Sequence, residues 1–161
     1  MRAIILTLSV FGFVQLSVVT AQAFEWQELG ETTYGLCAGC HGAAGEGIQG
    51  VFPPFAGHLP TVATLEGGRS FLINTLLYGL SGEVVILGEP YNGYMSAWET
   101  LSDEQIAAVL NHSLYAWGNE AELPDDFSPI LPDEIAAARG AGLSSGDVLE
   151  LRKALNLSAD E

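Results

Sequence analysis

Residues Cys37-Ala38-Gly39-Cys40-His41 decide the fold of this 161-residue chain. The two cysteines are the only ones in the sequence, and their spacing puts both thiols on about one turn of helix. A Cys-x-x-Cys-His run is typical of covalent haem attachment, in which the thiols add across the two vinyl groups and the histidine binds the iron. The sequence therefore predicts one haem c, held by Cys37 and Cys40, with His41 as the proximal iron ligand.

The same two cysteines have other interpretations. They could form a disulfide, which exported proteins use often, or a thioredoxin-like redox pair. A thioredoxin-like pair needs a βαβ context, and no strand is predicted before Cys37. A zinc site would need more ligands, and the spacing of His58 and His112 from the cysteines suits no common zinc pattern. Haem attachment is therefore the leading prediction.

The first 23 residues have the three-part pattern of a secretory signal peptide. Arg2 precedes an apolar run from Ala3 to about Val19, and Ala21-Gln22-Ala23 provides the small residues of a cleavage site. The run is short for a membrane span and is diluted by polar residues, although an uncleaved N-terminal anchor is the alternative. We predict a signal peptide over residues 1–23, export of a soluble protein to the periplasm, and no transmembrane span after cleavage.

The composition is strongly acidic. The chain has 20 Asp and Glu against 5 Lys and Arg, a formal net charge of −15, and loss of Arg2 with the signal peptide would make it about −16. Nucleic-acid binding needs the opposite sign and is excluded. The charge either keeps the protein soluble or steers it toward a basic docking patch on a redox partner.

The remaining pattern predicts an all-α fold of short helices. Helices are expected over residues 24–36, 70–78, 102–117, 133–139 and 145–156, with Ser102 and Gln105 forming a capping box. Residues 42–57 and 82–97 are expected to be irregular because they are rich in Gly and Pro. The one run that is typical of a strand, residues 84–87, could form a short hairpin within a loop.

Met95 is the candidate for the second axial ligand. It is the only methionine outside the predicted signal peptide, and it lies in a Gly-containing stretch that could bring its thioether to the iron. His58 and His112 are the competing ligands. Ligation by one His and one Met raises the reduction potential and blocks both faces of the iron. This predicts an electron carrier rather than an enzyme.

From 24 to 119 the chain resembles the class I cytochrome c family, in particular the small bacterial monohaem periplasmic carriers. The resemblance rests on Cys37–Gly42, Phe52-Pro53-Pro54-Phe55-Ala56-Gly57, Leu77–Leu80, Tyr91-Asn92-Gly93-Tyr94-Met95, Leu101–Leu110 and Trp117-Gly118-Asn119. It implies short helices wrapped around one covalent haem, with the first and last core helices crossing at Gly30. It also implies that Tyr34 packs there with Tyr115 or Trp117.

The resemblance also implies roles around the haem. The carbonyl of Pro53 would accept a hydrogen bond from the His41 ring and orient it. Tyr91 and Trp98 would bind haem propionates, and Arg69 would be a further candidate. The chain departs from the family pattern in three places: Ser96 replaces the Pro that usually follows the ligand Met, Tyr34 is one residue closer to the first Cys than usual, and His112 stands where an aromatic is expected.

These patterns together predict periplasmic electron transfer between redox protein partners. The alternative is a cytochrome c subunit bound permanently to a periplasmic dehydrogenase or reductase. The expected organisation is a signal peptide over residues 1–23, a haem domain over 24–119, and an acidic linker with a helical C-terminal extension over 120–161. The extension would either pack back on the haem domain or cover a partner surface.

Overall fold

The computed structural model describes residues 23–157, so the predicted signal peptide lies outside it except for its last residue. The described chain is mostly helical, and the elements in order are α1 (Gln27–Tyr34), α2 (Ala38–His41), α3 (Leu59–Thr64), α4 (Gly68–Tyr78), β1 (Leu80–Ile86), β2 (Glu89–Met95), α5 (Asp103–Tyr115), a 3-10 turn (Asn119–Glu122), α6 (Pro132–Ala138) and α7 (Ser145–Ala154). Helix α3 was not predicted. None of the described helices has the length and apolar character needed to cross a bilayer.

Helix α5 is the centre of the core, and its start is fixed by the predicted capping box. The Ser102 side chain accepts from the Gln105 backbone N–H at 3.2 Å, and the Gln105 side chain accepts from the Ser102 N–H at 3.0 Å. Ile106, Ala107 and Leu114 are fully buried. Their burial stabilises the domain by roughly 25 cal/mol per Å² of apolar surface.

Helices α1 and α5 cross in close contact at Gly30. A Cβ on Gly30 would lie 2.4 Å from the carbonyl oxygen of Ala108, so a side chain there would push the helices apart. The expected close approach is therefore confirmed. Tyr34 is buried beside the crossing, with its ring centroid 4.7 Å from that of Trp117. The expected aromatic packing is present, and Trp117 is the aromatic partner.

The stretch 82–97 is not irregular as predicted: most of it forms an antiparallel hairpin. Strand β1 pairs with β2 from Leu80 opposite Met95 to Ile86 opposite Glu89. The two-residue turn, Leu87-Gly88, has φ of 50° and 80°, the backbone of the tight turns that match strand twist. Leu rarely adopts positive φ, and here it stands where Asn or Asp usually precedes the turn glycine. The sequence therefore suggested only a short hairpin around residues 84–87 and not the full pairing.

The C-terminal extension packs back on the haem domain. The Asn111 side chain on α5 donates to the Ile130 carbonyl at 2.9 Å and accepts from the Ile130 N–H at 2.7 Å. The Tyr78 hydroxyl forms hydrogen bonds with backbone carbonyl oxygens at the end of α6. Helix α7 lies against α4 and β1, where Leu149 covers the buried hairpin residues. Of the two expectations for the extension, packing is the one that the structure shows.

Candidate haem site

The two cysteines lie on one helical turn. Cys37 is the first residue of the turn, and its carbonyl accepts from the backbone N–H groups of Cys40 at 3.1 Å and His41 at 2.9 Å. Both thiols are free, so the disulfide interpretation is not realised. Burial, followed by the neighbouring Cys40, raises the pKa of Cys37 to about 11. A thioredoxin-like nucleophile needs a lowered pKa, so this environment does not suit that chemistry.

His41 is buried and held in one orientation. Its Nδ1 lies 2.9 Å from the carbonyl oxygen of Pro53, which fixes the ring with Nδ1 protonated and leaves Nε2 available as a metal ligand. Phe55 stacks on the ring at a centroid distance of 4.0 Å. Burial lowers the pKa of His41, opposed in part by the Pro53 bond. The neutral imidazole that results is the form that binds metals.

An apolar cleft opens beside this histidine. It consists of two adjoining cavities of about 90 Å³ and 230 Å³. The linings of the two cavities have six residues in common: Cys37, His41, Pro53, Leu80, Val84 and Met95. We call residues 37–55 the attachment wall and residues 80–98 the hairpin wall.

The cleft fits a haem c. Its lining is mostly apolar, as a macrocycle requires, the two thiols and the imidazole stand together on the attachment wall, and a thioether stands on the hairpin wall. No group of three or more His, Cys, Asp or Glu comes together as a metal site within residues 23–157, so a zinc site built from these side chains has no support in the described chain.

The structure separates the three candidates for the second axial ligand. Met95 is half-buried at the end of β2 and lines both cavities. His58 lines the smaller cavity. His112 lines neither, because it packs between Tyr34 and Trp117 at centroid distances of 5.3 Å and 5.4 Å. Backbone geometry helps to place Met95, since a Cβ on Gly79 would lie 2.5 Å from the Met95 carbonyl oxygen.

Of the residues predicted to bind haem propionates, some line the cleft and one does not. Tyr91 and Trp98 both line the larger cavity, which leaves their propionate role a prediction. Arg69 does not line the cleft: its guanidinium is bound by Glu134 at 2.6 Å and by the carbonyls of Ser128 and Pro129. The expectation that Arg69 neutralises a propionate is therefore wrong, since the extension already holds this charge.

Two buried polar residues belong to the cleft: His58, which the sequence suggested only as a competing iron ligand, and Arg152, which was not predicted as part of the site. Arg152 on α7 and His58 before α3 both line the smaller cavity and are 7% and 3% exposed. The sequence held one signal for Arg152, which interrupts the apolar stripe of Val148, Leu151 and Leu155. An arginine on a buried helix face needs a partner.

The sequence is similar to that of known haem proteins. The family model for cytochrome c matches residues 27–114. Cytochrome c-552 of Thermus thermophilus is 47% identical over 128 residues, which cover 80% of this chain and 97% of that protein. A second cytochrome c-552, from the ATCC 27634 strain of that species, is also 47% identical over 128 residues, covering 80% and 86%. The chain belongs to the cytochrome c family: it is an electron carrier with a covalent haem c, and Cys37 and Cys40 fit the Cys-x-x-Cys-His attachment motif.

Proposed function

We propose that the protein transfers electrons in the periplasm through a single haem c whose iron is bound by His41 and Met95. The observation that carries the proposal is that these two side chains, from different walls, line one apolar cleft beside the attachment cysteines. Bound there, the iron supplies a one-electron couple, taking an electron from a reduced partner and passing it to an oxidised one.

The attachment wall keeps His41 ready to bind iron. The Pro53 carbonyl fixes the protonated ring nitrogen and raises the basicity of the other. Phe55 covers one face of the ring, which limits rotation and excludes water.

The hairpin wall supplies the second ligand. Met95 would hold the iron through its thioether, and peroxide or oxygen could then bind only by displacing that side chain. Met95 thereby restricts the site to electron transfer, and its soft sulfur stabilises the reduced iron and raises the potential.

Electron exchange would take place where apolar side chains surround the larger cavity. Leu36, Val51 and Tyr94 line it and are 53%, 56% and 67% exposed. Exposed apolar groups around a redox centre favour brief contact with a partner surface. We propose that the partner contributes a basic rim, because the chain carries a net charge of −15.

Replacement of the thioether tests this proposal. Met95→Ala should keep the covalent haem and lose the thioether-to-iron absorption band of the oxidised protein. Ser96→Ala is the matched control, because it alters the adjacent exposed residue and leaves the sulfur in place. A low-spin natural protein that lacks this band, with a spectrum unchanged in Met95→Ala, would show that another residue, such as His58, binds the iron.

A fractionation experiment tests the location. The haem protein should appear in the periplasmic fraction with Phe24 as its N-terminal residue. Recovery from the membrane with residues 1–23 still attached would contradict the predicted cleavage and support an anchor.

A further inference from the structure

Arg152 is the exception among the cations of the described chain. Each of the others is paired with a carboxylate: Arg69 with Glu134, Arg139 with Asp103 and Lys153 with Glu150. Arg152 is the most deeply buried of the four and has no carboxylate partner within residues 23–157. A buried charge without a partner is strongly destabilising.

The contacts that Arg152 does make leave most of its hydrogen-bonding capacity unused. Its Nη2 donates a long hydrogen bond of 3.3 Å to the Val85 carbonyl. The guanidinium lies 5.9 Å from the centre of the Phe71 ring. A guanidinium has five N–H donors, so the remaining ones point to a missing acceptor with negative charge.

A second buried group lies in the same cavity without a partner. His58 is 3% exposed, and its Nδ1 has no hydrogen-bond partner among the described residues. Burial and the nearby charge of Arg152 lower the pKa of His58 to about 4, so the ring is neutral near pH 7 and carries one N–H to donate.

The other hydroxyls of this cavity are already in use. Thr75 donates to the Phe71 carbonyl at 2.9 Å and Ser113 to the Val109 carbonyl at 2.8 Å. The remaining lining is apolar apart from His41 and Cys37 on the attachment wall. Arg152 and His58 are therefore the residues of this cavity whose hydrogen-bond donors still need an acceptor.

We propose that Arg152 and His58 bind a propionate carboxylate of the haem, so that the C-terminal helix α7 is part of the cofactor site. A haem brings an apolar ring together with carboxylates, which matches an apolar cavity with one cation and one neutral donor. The inference rests on the haem attached at Cys37 and Cys40 and does not depend on Met95 as the iron ligand.

The pairing has an electrostatic consequence. A cation held near the haem disfavours the more positive ferric state, so it raises the reduction potential. Loss of Arg152 should therefore lower the potential. Loss of an exposed cation one residue away should have a much smaller effect, because solvent screens it.

The test compares Arg152→Gln with Lys153→Gln in the full-length holoprotein. Both variants remove one positive charge from α7, but the Lys153 side chain is 59% exposed and paired with Glu150. The decrease in reduction potential caused by Arg152→Gln should be at least about three times the decrease caused by Lys153→Gln. It should also shift the propionate bending mode in the resonance Raman spectrum, which Lys153→Gln should leave in place.

Further variants keep the test decisive if Arg152→Gln does not fold. Arg152→Lys should restore most of the potential, and His58→Gln should shift the propionate mode while the thioether band stays. A propionate mode that is unchanged in both Arg152 and His58 variants would overturn the proposal. Equal effects of Arg152→Gln and Lys153→Gln on the potential would overturn it as well.

Discussion

The two walls of the cleft hold His41 and Met95, the two proposed iron ligands, in different ways. On the attachment wall, His41 is fixed by the Pro53 carbonyl and by Phe55, all within a short stretch of chain. On the hairpin wall, Met95 ends a strand whose position depends on Gly79 and on Leu149 of the distant helix α7. The attachment wall is thus built locally, and the hairpin wall is built by tertiary contacts.

The largest effect is expected on the attachment wall. His41→Ala should abolish accumulation of mature low-spin holoprotein, because the proposed proximal ligand and its hydrogen bond are both lost. Measurement of covalently bound haem in cell extracts, with Met95→Ala as the companion variant, checks this. Equal haem content in the two variants would show that the walls are equivalent in assembly.

A substitution at Gly79 should disturb the hairpin wall next most strongly. Gly79→Ala places a Cβ 2.5 Å from the Met95 carbonyl oxygen at a φ of +76°, so strain and collision both act. We expect a loss of roughly 2–3 kcal/mol in the free energy of unfolding and a weaker thioether band. Denaturant unfolding measures the loss of stability, and absorption spectra measure the thioether band.

Gly88→Ala is the control for Gly79→Ala. Gly88 has a similar φ of +80° but open space around its Cβ position, so it should lose about 1 kcal/mol from the backbone alone. Its thioether band should be unchanged. A weakened band in Gly88→Ala would mean that any change in the hairpin, and not the collision at Met95, disturbs the ligand.

A smaller effect is expected at Leu149, the side chain that covers the hairpin from α7. Leu149→Ala should destabilise the protein by about 1–2 kcal/mol, below the usual cost of a fully buried Leu because the residue is half-buried. Thermal unfolding checks the value. Leu131→Ala, at a position 48% exposed, should cost much less, and a similar loss in both variants would contradict a specific role for Leu149.

The smallest effect should come from Glu134, which lies away from both walls. The Arg69 hydrogen bond, opposed by burial, lowers the pKa of Glu134 below its ordinary value of 4.5. A depressed carboxyl pKa stabilises the folded state above the unfolded pKa, and this contribution disappears as the pH falls through the folded pKa. Glu134→Gln should therefore be slightly less stable than the natural protein at pH 7 and equal to it once the pH lies well below the folded pKa of Glu134.

Unfolding curves at the two pH values measure the Glu134 effect, and absorption spectra should be identical throughout. A change in the thioether band in Glu134→Gln would show that α6 is coupled to the cleft, which the described contacts do not suggest.

The same contrast explains what the sequence could predict. The attachment motif and the capping box at Ser102 are local patterns, and the structure has the motif on one helical turn and the cap. The bond from the Pro53 carbonyl to His41, which the family resemblance implied, is also present. Arg152 could not be placed by local reasoning, because its neighbours Phe71 and Val85 are far away in the sequence. The sequence allowed a short hairpin at residues 84–87, but its full extent over 80–95 was not predicted, because Leu87 adopts a positive φ without the usual turn residues.

The position of α7 in the sequence bears on the order of assembly. Cys37 and Cys40 precede Ser145, the first residue of α7, by roughly a hundred residues, and chains generally fold from the N-terminus as they emerge. The cleft therefore lacks part of its lining until the C-terminal residues have emerged. Both thiols remain accessible to haem attachment during that interval, and the last helix to arrive closes the site.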